Sequence, residues 1–346
     1  MGQLQLCNVA NPHCLFRHRL EDHDNHCFEM KMGRDGYEVI AEDSPNIDTW
    51  LASTRGIGLL DVVAKDASIP QLPNFIPTVR RGSGKLFTQY QPEYVGVLLR
   101  DVVSPVKLEV ATNLNERTGA PIGTKFILMG YGSDELIENL WPHKEAIFEQ
   151  LARLDWTAVT SVNYSIWDDQ PHAERLINIK RGLLTYEDWQ RIGVSAIPHI
   201  YWCGRKDLDA WAEWLSKNPL VATVAINLQT LGSQESWSRA MDDLTHFVGK
   251  LDRDIHFLIT GPQKLARIQQ LADIVPSMTL SNGYALRMAA NGQQIETDGV
   301  ETFAGYSTAN RSGISASNTS IYERYVAQTN QHRRGRVTDR QLVGIS

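Results

Sequence analysis

The densest group of chemistry-bearing side chains lies at the start of the chain, where residues 7–27 hold Cys7, His13, Cys14, His18, His23, His26 and Cys27. Thiolate and imidazole are the donors that tetrahedral zinc prefers, and a polar segment with no core of its own is where a structural metal replaces missing burial. Cys14/His18 and His23/Cys27 are i, i+4 pairs that would share one helix face, while Cys7, Cys14 and Cys27 with His23 or His26 make a Cys3His alternative. The expected cofactor is zinc, held by Cys7, Cys14, His23 and Cys27. Against it stands the spacing. There is no Cys-x2-Cys, and cysteines beside solvated histidines account for the same residues equally well. Three neighbouring thiols fall one short of the four that an iron–sulfur cluster takes.

A second constellation runs Asn163-Tyr-Ser-Ile-Trp-Asp168-Asp169-Gln-Pro-His172, directly after a strand-like run. In a β/α barrel this is a strand's C-terminal end, where catalytic groups gather. Pro171 suits a first helical turn, so Asp169 reads as the helix cap, and Asp168 is left as the nucleophile or base. Polar residues recur at later strand ends. His199 and Asn227 complete the expected catalytic set with Asp168, while Arg100, Asn163, Tyr201 and Gln229 are the expected substrate contacts. A histidine inside an apolar strand is more often a core residue with a hydrogen-bond partner. Its place among successive polar strand ends favours acid/base work. Arg100 could hold an anion or pair with Asp101. The loop Arg80-Arg81-Gly-Ser-Gly84-Lys85 lacks the spacing of a phosphate-cradling P-loop and reads as a solvated hairpin.

The elements that must position these groups follow from periodicity. From Tyr94 onward, short apolar runs (94–100, 125–130, 158–163, 195–202, 222–228, 255–260, 277–281) alternate with helical stretches. Ser133 caps one of these, and another sets Leu208, Trp211 and Leu215 on one face. Such alternation implies βαβ units and a buried parallel sheet. The expected fold is α/β: a β/α barrel of TIM type, complete or incomplete, over residues 76–290. An N-terminal appendage with the Cys/His cluster occupies 1–75, with one helix between Asp48 and Ala64. A polar linker or disordered tail, basic from His332 to Arg340, occupies 291–346. An open doubly wound sheet is the runner-up, although no Gly-x-Gly-x-x-Gly follows the first strand.

Composition bounds the function. The 346 residues carry a net charge of −6, so the chain as a whole does not attract a polyanion or an acidic membrane surface. No apolar run reaches the roughly 18 residues of a membrane span. The first residues lack a basic leader and an apolar signal core, which makes the cytoplasm the expected location.

The motifs Tyr94-Val-Gly-Val-Leu-Leu-Arg100, Asn163-Tyr-Ser-Ile-Trp-Asp-Asp-Gln-Pro171, Leu176-Ile-Asn-Ile-Lys-Arg181 and Ile197-Pro-His-Ile-Tyr-Trp202 resemble the bacterial and phage family known as domain of unknown function 4417, over about residues 76–288. The resemblance implies a barrel-like fold and a phage or mobile-element setting, and it confers no catalytic residue. Leu128-Met-Gly-Tyr-Gly-Ser-Asp-Glu-Leu136 is similar, more faintly, to the phosphate-side loop of tRNA-guanine transglycosylases, zinc-bearing barrels that exchange a base through an aspartate. That likeness implies an enzyme acting on a nucleotide or nucleic acid at a glycosidic bond, with Asp168 attacking or stabilising an oxocarbenium-like centre and His199 moving protons. The rival reading is a binding module, in which a zinc segment and the basic tail grip nucleic acid or a protein.

Overall fold

The computed structural model describes residues 47–65, 69–166, 172–298 and 302–343, without the side chains of 47–50, 172–173 and 332–343. Eight parallel strands form one sheet in the order β5-β4-β3-β2-β1-β8-β7-β6: β1 (Phe75–Val79), β2 (Tyr94–Leu98), β3 (Lys125–Met129), β4 (Trp156–Thr160), β5 (Ala196–Ile197), β6 (Thr223–Asn227), β7 (His256–Thr260) and β8 (Ser277–Asn282). Its two edges meet beyond the short β5. Ala225 N–H donates to Pro198 O at 2.9 Å and Ile200 N–H to Ala225 O at 2.8 Å, so the sheet curls into a TIM-like barrel.

Around it run α1 (Ile47–Thr54), α2 (Leu99–Val102), α3 (Leu114–Thr118), α4 (Asp134–Leu140), α5 (Lys144–Leu151), α6 (His172–Arg191), α7 (Arg205–Lys217), α8 (Gln234–Lys250), α9 (Leu265–Ile274), α10 (Tyr284–Ala290) and α11 (Arg311–Val343). Ser133 caps α4, accepting from Leu136 N–H as expected from the sequence, and Ser233 caps α8 in the same way. The helices α7 and α8 bury Leu208, Trp211 and Leu215, and Trp237, Met241, Leu244 and Phe247. These seal the layer between sheet and helices. A second, smaller apolar layer fills the barrel itself, from Ile76, Leu98, Ile127, Met129, Ala158, Ile197, Ala225 and Leu258. With a period of two, the residues one step further along these strands fall at the barrel mouth.

One buried ion pair anchors the β4–α6 side. Arg181, fully buried on α6, donates to both carboxylate oxygens of Glu138 on α4 (3.0 and 2.6 Å) and to Asn178 Oδ1, and its guanidinium lies 3.8 Å from the Tyr164 ring centre. Asn178 Nδ2 donates to Ser165 O. The Leu176–Arg181 motif thus fixes the segment leaving β4.

Two boundaries differ from the sequence expectation. Residues assigned to the appendage join the barrel's outer layer: Trp214 Nε1 donates to Val62 O, Lys180 Nζ to Gly58 O, and Ala64 N–H to Asn218 Oδ1. The helix there ends at Thr54 rather than reaching Ala64. Nor is 291–346 a polar tail in its described residues. An antiparallel hairpin, β9 (Gln293–Thr297) with β10 (Thr302–Tyr306), leads into α11, which buries Ile314, Tyr322 and Val326. Only a short 3-10 turn (Ser83–Leu86) follows β1, and α11 packs across β1, β8 and that turn where a helix after β1 would lie. Tyr322 stacks on Phe75 (5.2 Å) and donates to Gln263 O (2.9 Å).

We therefore expect Tyr322→Ala to cost about 3 kcal/mol or more in urea unfolding, on the scale of buried aromatic truncations, and truncation after Asn310 to cost more. Unchanged stability of the truncated chain would show that α11 is dispensable.

Candidate functional site at the barrel mouth

The backbone at the C-terminal strand ends is held by two close approaches that only glycine permits. At Gly130 a Cβ would lie 2.3 Å from Ser161 O, and at Gly261 (φ +118°) 2.6 Å from Gln229 N. Gly130 N–H donates to Thr160 Oγ1 and its carbonyl accepts from Asn163 N–H, which brings the β3 and β4 exits together. Tyr131, the next residue, is thereby aimed across the barrel mouth. Opposite it, His199 is fixed by its own N–H donating to Ser161 Oγ (2.8 Å) and by the closing hydrogen bonds on either side of it.

The result is a buried polar cluster. His199 Nε2 lies 2.9 Å from the Tyr131 hydroxyl, which lies 3.4 Å from Thr260 Oγ1. The His199 ring stacks on Tyr201 (4.2 Å) and meets Tyr131 edge-on (5.4 Å). Burial alone drives the His199 pKa down to about 3, so the ring is neutral at pH 7, and burial raises both tyrosines, so both phenols keep their protons. A proton is shared between the Tyr131 oxygen and Nε2; whichever holds it, Nδ1 has no partner. Asn163 and Asn227 stand beside the Tyr201 hydroxyl and offset part of its shift, yet that hydroxyl and Asn163 Oδ1 are also buried without a hydrogen-bond partner. Each unmatched buried polar atom costs about 1–3 kcal/mol. Three such atoms, on Asn163, His199 and Tyr201, gather at the end of the barrel where functional groups collect.

Of the residues expected from the sequence, His199, Tyr201, Asn163 and Asn227 converge here. Arg100 and Gln229 do not join them: both line a separate pocket of about 250 Å³ on the β1–β8 side of the mouth, with Arg80, Gln263 and Arg287. Thr260 lines that pocket as well and also touches Tyr131, linking the two. Asp168 and Asp169, and the metal set Cys7, Cys14, His23 and Cys27, lie outside the described residues. The sequence reading passed over Tyr131 and Arg287. Tyr131 follows a glycine at a strand's end, a signal that could have found it, whereas Arg287 comes from α10 after the last strand.

With this geometry in view, the family match can be placed. Residues 100–247 match the family model described as Domain of unknown function (DUF4417). The DUF4417 region spans β3 to β6 and includes Tyr131, Asn163, His199, Tyr201 and Asn227; it is narrower than the 76–288 expected from motifs and leaves out Arg80, Thr260 and Arg287. No curated protein matches the chain. Among the described residues no helix is long and apolar enough to cross a membrane.

Two histidines make stability depend on pH. His256, at the opposite end of the barrel, is also pushed down by burial, to about 4. An unfolded histidine takes up its proton near pH 6.5 while these two cannot, so acidification stabilises the unfolded chain. We expect stability to fall by about 1.4 kcal/mol per pH unit per histidine once the pH drops below about 6.5, read by urea unfolding from pH 6.5 to 5, above the range of ordinary carboxylates. His199→Gln should flatten the slope. A stability profile without slope in that window would contradict neutral burial.

Proposed function

We propose that the chain is an enzyme acting on a nucleotide or nucleic acid at the barrel mouth, by glycosyl transfer or hydrolysis. One observation carries this: the neutral, water-excluded His199, with Nε2 engaged by Tyr131 and Nδ1 unspent, on the face where a β/α barrel collects catalytic groups. A neutral imidazole accepts a proton from an attacking hydroxyl and, through Tyr131, has a partner with which to exchange one. In the proposed reaction the glycosidic bond breaks with its electron pair leaving on the base, which takes up the proton that the incoming water or second base loses, passed by way of His199 and Tyr131. Asp168 attacks the anomeric carbon or steadies its positive charge, and water or a second base completes the exchange. Asp168 lies in the sequence between β4 and α6, two residues past the described Ile166, and the described start of that segment is held by the Asn178–Ser165 hydrogen bond. In this reading Asn163, Tyr201 and Asn227 bind the neutral edge of the substrate.

A structural zinc on Cys7, Cys14, His23 and Cys27 is part of the proposal and rests on ligand types alone; about one zinc per purified chain, lost in Cys14→Ser/Cys27→Ser, is the check. A cytoplasmic location and a phage or mobile-element setting complete the proposal, the latter supported by the family resemblance.

The test incubates the full chain with nucleosides, nucleoside 5′-monophosphates and oligonucleotides and follows free base by mass spectrometry. We expect turnover that falls at least a hundredfold in Asp168→Asn and in His199→Gln, with Asp169→Asn mainly lowering stability. No base release from any of them, or full activity in both variants, would overturn the reading and leave a binding module in its place.

A further inference from the structure

The pocket beside the His199 cluster has a composition that the reaction just proposed does not use. Three of its lining residues are arginines, each from a different exit of the barrel: Arg80 directly after β1, Arg100 in α2 after β2, and Arg287 in α10 after β8. Among the described residues none of the three forms a salt bridge, although such pairs are common elsewhere on this protein. Among the described residues the side chain of Arg287 donates to Gln263 Oε1, at 3.4 Å, lies over the face of Tyr284 and acts electrostatically on Tyr322, none of them an acid. The acid that faces Arg100 and Arg80 is Asp101, whose pKa is raised by burial and only partly brought back by those arginines. The carboxylate does not line the pocket. Three arginines therefore line one concavity in a chain whose net charge is −6.

We propose that this pocket binds a phosphomonoester, with Arg80, Arg100 and Arg287 as its ligands. The proposal rests on the reading of the mouth as a substrate site and assigns the charged end of that substrate. Three arginines exceed what a single carboxylate needs, whereas a dianionic phosphate presents three outer oxygens to planar donors. A volume of about 250 Å³ is ample for one such group and lies just below the roughly 300–1,000 Å³ of pockets that enclose drug-sized ligands. The glycines Gly261 and Gly283, from the exits of β7 and β8, let the backbone approach it, at the strand pair where β/α barrels commonly hold phosphate. Thr260 lines the pocket and touches Tyr131, so the rest of the bound molecule extends toward the His199 cluster.

The test is equilibrium binding to the full chain by calorimetry, with inorganic phosphate, a nucleoside 5′-monophosphate, the parent nucleoside, and a 5′-phosphorylated oligonucleotide beside its dephosphorylated form. The phosphorylated member of each pair is expected to bind at least tenfold more tightly, and the preferred pair tells a free nucleotide from a strand end. Arg80→Gln, Arg100→Gln and Arg287→Gln should each weaken phosphate binding at least tenfold with an unchanged melting temperature. Arg81→Gln, an exposed neighbour outside the pocket, should not. Equal affinity for phosphorylated and unphosphorylated forms, or the same loss in Arg81→Gln as in the pocket variants, would overturn the site. Turnover is not the readout. A chain that binds phosphate through these arginines and releases no base keeps the site and loses the glycosyl chemistry; a chain that releases base and ignores the arginines does the reverse.

Discussion

A parallel sheet of eight strands has two raw edges, and the structure depends on how they are joined. The joining strand, β5, is two residues long, so closure falls to the segment that follows it. Pro198 O and Ile200 N–H take the two hydrogen bonds from β6, one on each side of His199. Strand alternation then leaves that side chain nowhere to point but inward. The bonds that close the barrel are thus the bonds that strip water from the imidazole, and its neutrality is a consequence of topology more than of any neighbouring charge.

The same residue type at the other end of the barrel shows what a purely structural histidine looks like here. His256 places Nδ1 2.9 Å from Ser277 Oγ and Nε2 2.9 Å from Thr279 Oγ1, so both nitrogens are spent. His199 has a comparable loss of solvent and one nitrogen without a partner. Burial argues for both residues alike, and only the accounting of hydrogen bonds separates them. The unspent atoms lie at the C-terminal end of the strands, where loops and not strand ladders decide what arrives.

Much of this was legible in the sequence because buried parallel strands read as near-continuous apolar runs. The strand β1 escaped because Pro77 sits inside it, and proline argues against a central strand. The helix α11 escaped for a different reason. Its buried face includes Ser315, Asn318 and Thr319, so no apolar stripe betrays it. Asn318 instead binds through its amide, accepting from Ile295 N–H and donating to Ala285 O and Gln293 O. A buried face that alternates such polar groups with Ile314, Tyr322 and Val326 has no continuous signature in hydrophobic periodicity. At the mouth, polar residues at strand ends pointed to His199, Tyr201, Asn163 and Asn227. What spacing could not show was that Arg100 and Gln229 belong to a neighbouring pocket, because strand order around the barrel follows the chain but does not say which way each side chain turns at its exit.

The central claim is that barrel closure holds His199 neutral against Tyr131 with one nitrogen free. Nitrogen-15 NMR of the imidazole rings, assigned with His199→Gln, measures this directly. The expected spectrum shows His199 in the neutral form, with no titration between pH 7.5 and 5, and its Nε2 shift disturbed by Tyr131→Phe. A His199 ring that titrates near its ordinary value of 6.5 would mean that water reaches it and that the barrel is not closed as described.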